Sequence, residues 1–159
     1  DSHDGEGLAT RVNPLIADGV LQGFLHDGYT GRRSGTASTG SAVRSSRSTP
    51  APGCQALVMV AGEQSPEALL AGIDRGLFVQ SLNGLHSGVN AVSGDFSVGA
   101  DGLMIRDGQL AEPVREITLA STLQRLLLGV VAVGNDLEWR PGGATAATIV
   151  IGDVAMSGK

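Results

Sequence analysis

Gly102-Leu103-Met104-Ile105-Arg106-Asp107-Gly108-Gln109-Leu110-Ala111-Glu112-Pro113-Val114 is the stretch that decides the fold. Two runs with apolar residues, Gly102–Arg106 and Gln109–Val114, flank an Asp-Gly pair. Asp-Gly supplies the positive φ angles of a tight hairpin turn, so the stretch predicts two antiparallel strands. The same device recurs upstream, where Ala17-Asp18-Gly19 separates Val12–Ile16 from Val20–Leu25. Gln55–Ala61 is a continuous apolar run with Val58 and Val60, which predicts a buried strand. Leu77–Leu82 reads as another strand, and Ala144–Met156, with Thr148-Ile149-Val150-Ile151, as the last.

Two helices interrupt the strands. Pro66–Arg75 has Ser65 as its N-cap, Pro66 at the first helical position and Glu67 at the positive end of the dipole. Its apolar stripe is Leu69, Leu70 and Ile73, and Gly76 closes it. Thr122–Val131 has Ser121 as cap and Leu123, Leu126, Leu127 and Val130 on one face. Short strands, Gly-rich turns and two helices make an α+β chain of mainly antiparallel strands, sandwich or barrel-like. At 159 residues it reads as a single domain over 1–159.

Composition narrows the classes. The chain has 24 glycines and only five aromatic residues, three Phe, one Trp and one Tyr. The core must therefore be aliphatic. The glycines lack a G-X-Y period, which excludes collagen. One cysteine, Cys54, cannot form an internal disulfide. No apolar run reaches about 18 residues, so no transmembrane helix is expected. The acidic start, Asp1-Ser2-His3-Asp4, is unlike a signal peptide. It has no Met, which suggests a processed or excised piece. A net charge of −5 disfavours a general nucleic-acid binder.

Charge is unevenly spread. Thr30–Thr49 holds Arg32, Arg33, Arg44 and Arg47, ten Ser or Thr and no acid. It reads as a long loop, with one helical turn around Tyr29–Arg33. Arg32 and Arg33 can clamp a carboxylate or phosphate, with Ser34-Gly35-Thr36 adding donors. The alternative is a solvated loop whose arginines balance an acidic surface. Leu82–Ala100 is the other unusual stretch, apolar yet poorly periodic and punctuated by Gly84, Gly88, Gly94 and Gly99. Glycine there permits close approach of another segment or of an extended peptide. The alternative is a tight loop feeding a strand.

Known chemistry motifs are missing. The histidines, His3, His26 and His86, form no H-E-x-x-H pattern, and Cys54 has no partner cysteine. His26 lies on an apolar strand and reads as a partly buried or edge histidine. His86 sits in the Gly-rich stretch, where contact with a substrate or partner is the functional reading. G-x-S-x-G does not occur. Gly152–Lys159 looks like a phosphate loop but spaces its glycines by one residue too many.

These same segments carry a family resemblance. His86-Ser87-Gly88-Val89-Asn90 with Ser93-Gly94-Asp95-Phe96-Ser97-Val98-Gly99-Ala100 resembles the C-terminal region of the TldD/PmbA family, once labelled modulators of DNA gyrase. The resemblance continues through Pro113-Val114-Arg115-Glu116-Ile117, Val133-Gly134-Asn135-Asp136-Leu137-Glu138 and Ser157-Gly158-Lys159. Asp4-Gly5-Glu6-Gly7, Gly19–Leu25 and Arg32–Gly40 also fit. The details look closer to the PmbA (TldE) branch than to TldD.

The resemblance implies a subunit of a heterodimeric, zinc-dependent peptidase acting on peptides or peptide-like small molecules, in some pairs within natural-product pathways. In TldD, two His of an H-E-x-x-x-H helix and a later Cys hold the zinc, with the Glu as base. This sequence lacks that motif, and Arg140-Pro141-Gly142-Gly143-Ala144 stands where the Cys is expected. Cys54 lies too far upstream to be that ligand. No catalytic or metal residue is therefore carried over; zinc is expected in a TldD-like catalytic partner. The expected partners are that subunit, a companion N-terminal fragment and a peptide, with no nucleic acid or membrane, in the cytoplasm. The contact candidates are Arg32, Arg33, Ser34, His86, Ser87, Gly88 and Asn90. The competing readings are a regulatory or binding module of the gyrase-modulator type, and a self-sufficient hydrolase using His86.

Overall fold

A computed structural model describes residues 1–158. In chain order its elements are β1 (Ile16–Ala17), β2 (Val20–Leu21), α1 (Gly28–Arg33), β3 (Ala42–Val43), β4 (Ala51–Pro52), α2 (Pro66–Ala71), β5 (Arg75–Asn83) and α3 (Leu85–Gly88). There follow β6 (Asp95–Arg106), β7 (Gln109–Thr122), α4 (Leu123–Leu128), β8 (Val130–Val133), β9 (Glu138–Arg140), β10 (Ala144–Ala146), β11 (Ile149–Ile151) and β12 (Ala155–Ser157). The chain is α+β with mainly antiparallel pairing between its strands, and its described sheets form no closed barrel. It divides into two compact units.

The first unit comprises Asp1–Val58 and Trp139–Thr145. It has short two-stranded pairs, β1 with β2 and β3 with β4. Its buried residues are Asp4, Asp27, Ser41 and Ala42, with glycines beside them. The Asp18-Gly19 turn has φ angles of 50 and 74°, as a mirror-image hairpin turn requires. The ladder it closes covers only two residues per strand, far less than the apolar runs predicted.

The second unit comprises Met59–Glu138 and the chain from Ala146 onward. Its centre is a four-stranded sheet in the order β12-β7-β6-β5. The Asp107-Gly108 hairpin is there, with φ angles of 49 and 74°, and its strands run far beyond the predicted limits. On β6, even-numbered residues from Val98 to Met104 are buried and the odd ones between them are not. This is the alternation of a half-covered sheet. Leu69, Val98, Ala100, Met104, Ile105 and Ile117 form an aliphatic core. Across the hairpin, Arg106 forks onto Glu112, and that hydrogen-bonded guanidinium pulls the Glu112 carboxyl down to about 2.

Several expectations need correction. Four helical segments occur among the described residues instead of two, because α1 completes the turn expected at Tyr29–Arg33 and α3 forms within the Gly-rich stretch. The first predicted helix stops at Ala71. Its continuation is claimed by the hairpin, whose Asp107 and Gly108 N–H groups donate to the carbonyls of Asp74 (2.7 Å) and Ile73 (3.0 Å). Gly108 is required there, since a Cβ would sit 2.7 Å from the Ala71 carbonyl oxygen. The second helix stops at Leu128, because Val130–Val133 pairs as a strand with β11. Its cap is Thr122, not Ser121: the Thr122 hydroxyl accepts the Arg125 N–H. The expected last strand is three short ones, β10, β11 and β12.

The buried strand expected at Gln55–Ala61 is neither buried nor part of a continuous ladder. Every residue of it is exposed, Val60 by 84%. Leu57 alone bridges to Ala144. The phosphate-loop look-alike forms β12 at Ala155–Ser157, and Lys159 lies outside the described residues. No helix among the described residues is long and apolar enough to cross a membrane.

Candidate functional site

In the first unit, Asp4 anchors the site region. Its Oδ1 accepts the N–H groups of Glu6 and Leu8 at 2.9 Å, and its Oδ2 that of Ala42 at 3.0 Å. Burial pushes the Asp4 carboxyl up, but the backbone N–H donors, Ala42 first, outweigh it and hold it below the usual range. The Glu6 carboxylate reaches the N-terminus of α1 and accepts the Gly28 N–H at 2.7 Å. Asp27 caps that helix: its Oδ1 accepts the Thr30 N–H (2.6 Å) and hydroxyl (2.7 Å), while the Thr30 hydroxyl accepts the Asp27 N–H. These bonds, the Thr30 N–H foremost, lower the Asp27 carboxyl.

Arg32 and Arg33 thus stand in the last turn of a firmly capped helix, where its dipole favours cations. Arg33 lies 5.8 Å from the Tyr29 ring centroid and donates to the Tyr29 hydroxyl at 3.4 Å. Ser34 is the C-cap, and its N–H donates to the Thr30 carbonyl. The loop then folds back, with the Thr39 N–H and the Ser38 hydroxyl donating to the His26 carbonyl. His26 Nδ1 is buried without a partner, which fits the partly buried histidine expected.

In the second unit, His86 and Ser87 are exposed on α3. Gly88 lies against β6, where any Cβ would collide with the Ser97 carbonyl. The close approach that glycine permits here is made by the chain's own strand. Asn90 organises the following turn: its Oδ1 accepts the N–H groups of Val92 (2.9 Å) and Ser93 (3.1 Å). Ser87, Gly88 and Asn90 come together in an open concavity of about 560 Å³ that Asp95 and Ser97 also line. His86 is not among its lining residues. Arg32, Arg33 and Ser34 belong to the first unit and these residues to the second.

A third arrangement carries no sequence motif. On β5, Val79 pairs with Gly102 and Ser81 with Asp101, leaving Gln80 extra. On β7, Ile117 pairs with Ala100 and Val114 with Gly102, leaving Arg115 and Glu116 opposite Asp101. Both neighbours of β6 therefore bulge at the same row. The Asp101 carboxylate closes both bulges: Oδ2 accepts from Ser81 Oγ (3.2 Å) and Asn83 Nδ2 (3.1 Å), and Oδ1 from the Glu116 N–H (2.9 Å). The Glu116 N–H, then Asn83, draw the Asp101 carboxyl below its usual range. Glu116 has φ of +54°, a left-handed conformation that costs a non-glycine residue about 1–2 kcal/mol. A cleft of about 490 Å³ opens here, lined by Gln80, Asn83, Asp101, Arg115 and Glu116.

The signal for this row was in the spacing. Strand alternation predicts apolar partners two residues apart, yet Val79 and Leu82, and Val114 and Ile117, are three apart. A strand keeps such residues on one face only by carrying a bulge.

Among the described residues, no group of three His, Cys, Asp or Glu is placed to hold a metal ion. The chain matches the family model for the PmbA/TldA metallopeptidase C-terminal domain over residues 1–158. It is 34% identical over 98% of its length to a Haemophilus influenzae protein named Metalloprotease PmbA homolog, of which it covers 32%. To the same organism's Metalloprotease TldD homolog it is 26% identical, again over 98% of the chain and 35% of the relative. The crystal structure of TldE from Thermococcus kodakarensis superposes with a TM-score of 0.88, at 33% identity, over 99% of this chain and 36% of that one. The chain thus spans about a third of the length of these relatives. The name metalloprotease, carried by the two Haemophilus influenzae relatives, implies a metal, and the residues described here do not fit one. On the full-length match to the family model and the agreement in fold, the chain belongs to the PmbA/TldA metallopeptidase C-terminal domain family, on its PmbA/TldE side.

Proposed function

We propose that this chain is the C-terminal part of a non-catalytic, TldE-like subunit of a heterodimeric metallopeptidase-type hydrolase. Its substrates are peptides or peptide-like small molecules, with natural-product biosynthesis one setting for such a pair. The observation that carries this reading is the gap between two relatives in one organism: 34% identity to the PmbA homolog against 26% to the TldD homolog. Zinc sits in the TldD-like partner, which supplies the three ligands and the base that an open zinc site needs. The silent subunit walls the chamber and binds an extended peptide through main-chain hydrogen bonds along a sheet edge. Arg32, Arg33, Ser34, His86, Ser87, Gly88 and Asn90 are the proposed contacts with substrate or partner.

Exposed area supports a covered working state. The chain exposes 11064 Å². Two separate compact bodies of about half its mass would together expose only about 9,000 Å². The excess of about 2,000 Å² includes Val60, Leu128 and Val131, the kind of apolar surface that partners cover.

Co-purification from the native source, followed by mass spectrometry, tests the proposal. The expected outcome is a companion N-terminal polypeptide segment together with a subunit bearing H-E-x-x-x-H. Stoichiometric zinc and peptidase activity in the isolated chain would overturn the silent-subunit assignment. A tight DNA complex that weakens steeply with salt would favour the regulatory-module alternative instead.

A further inference from the structure

The two edges of the four-stranded sheet are protected very differently. β12 is three residues long. β5 spans Arg75–Asn83, and from Phe78 onward every residue of it is exposed. Such an edge offers unpaired N–H and C=O groups, which proteins usually blunt with charges, prolines or a covering segment. β5 has no proline, and its single charged residue is Arg75 at one end. Phe78, Val79 and Leu82 are each about two-fifths exposed. The interruption in this edge is the Gln80 bulge, which Asp101 holds in place through Ser81 and Asn83.

We propose that an extended peptide segment adds to β5 as a fifth strand along Arg75–Val79, and that Asp101 is the positioning residue that sets this register. The proposal rests on the peptide-binding role given above and names the edge that performs it. Asp101 keeps Gln80 out of step with the ladder, so regular pairing stops at Val79. The bulge also keeps Leu82 on the same face as Leu77 and Val79, and Ser81 and Asn83 on the face of Asp101. An incoming strand therefore meets Leu77 and Val79 on one face and Phe78 on the other. That suits an extended, uncharged segment with apolar residues, and proline at its centre would remove a ladder bond.

The test is amide NMR on the ¹⁵N-labelled chain, with an acetylated and amidated Val-Thr-Val-Thr-Val peptide as probe and its central-proline variant as control. The first peptide is expected to shift the amides of residues 75–79 and slow their exchange; the second is expected to leave them unchanged. In Asp101→Ala the Glu116 amide should exchange at least about tenfold faster, and the peptide's footprint should spread past Gln80 or vanish. Asp101→Asn keeps an acceptor for the Glu116 N–H and presents an amide NH2 from which the Ser81 hydroxyl and a flipped Asn83 amide oxygen can accept, so it should retain the wild-type footprint. If the Ala variant unfolds, the Ser81→Ala, Asn83→Ala double variant frees the β5 side alone and should displace the footprint equally. Wild-type amides 75–79 that ignore the peptide up to millimolar concentration would overturn the docking edge. A footprint unchanged in the alanine variants would overturn the role of Asp101. Co-purification with a catalytic subunit alongside a silent β5 would leave the proposed function standing and sink this edge alone.

Discussion

The two units bury different chemistry. In the second, the buried side chains are aliphatic and lie on one long hairpin and the helix beside it. In the first, two of the three buried polar residues are carboxylates: Asp4, which accepts the N–H groups of Glu6, Leu8 and the distant Ala42, and Asp27, which accepts the Thr30 N–H and hydroxyl. Hydrophobic burial is non-directional and scales with area. A buried carboxylate instead stabilises only while ionised and fully hydrogen-bonded. One unit is thus organised by packing and the other by a polar framework, whose strands are only two or three residues long.

The largest test of this contrast is in the packed unit. Ile117→Ala removes a buried side chain beside the Asp101 row and should destabilise by about 2–5 kcal/mol in denaturant melts. A loss under about 1 kcal/mol would mean that this core is not what holds the sheet. Acid should reverse the order. Asp4 and Asp27 have folded pKa values below the ordinary one. The stability they contribute is present above the unfolded pKa, near about 4, and drains as pH falls through the folded values. Asp101 and Glu112 also titrate below the ordinary range in the second unit, but its buried side chains are aliphatic; amides of residues 4–42 should therefore lose exchange protection before those of β6 and β7. Simultaneous loss in both units would erase the distinction.

Glu116→Gly should stabilise the second unit by about 1 kcal/mol, because glycine accepts the left-handed backbone without strain. A destabilised variant would show that the Glu116 side chain has a packing role. Smallest in stability is Arg32→Ala with Arg33→Ala, both on the exposed end of α1. It should change unfolding free energy by less than about 0.5 kcal/mol while lowering turnover in the proposed heterodimer. Normal turnover would reduce that loop to plain surface.

Local signals carried much of the fold. Asp-Gly pairs placed both hairpin turns, because two consecutive left-handed residues are a property of those residues themselves. Ser65 and Pro66 placed the start of α2. What failed were the ends: α2 and α4 stop at the C-cap glycines Gly72 and Gly129, ahead of the residues expected, and other segments take the backbone groups that follow. Gln55–Ala61 failed for the same reason in reverse. Its apolar β-branched pattern states that it favours burial, and no strand of the described chain runs along its length. Within the candidate site, Ser87, Gly88 and Asn90 share a concavity because they are near neighbours in sequence, while Gly88 and Asn90 also serve the local backbone. Asp101 is not legible in the sequence because a single Asp in a strand has no motif; only the three-residue spacings flanking it betray the bulges.

The sequence by itself determined the aliphatic core, the Asp-Gly hairpins, the α+β class and the family, since each is written in residues adjacent along the chain. Only the tertiary structure decided that Asp101 joins three strands at one row, that Asp4 ties Ala42 to the N-terminal turn, and that β5 is left as an open edge. Those outcomes depend on hydrogen bonds between residues far apart in sequence, whose partners are chosen by the register of the sheet and not by the neighbours of either residue.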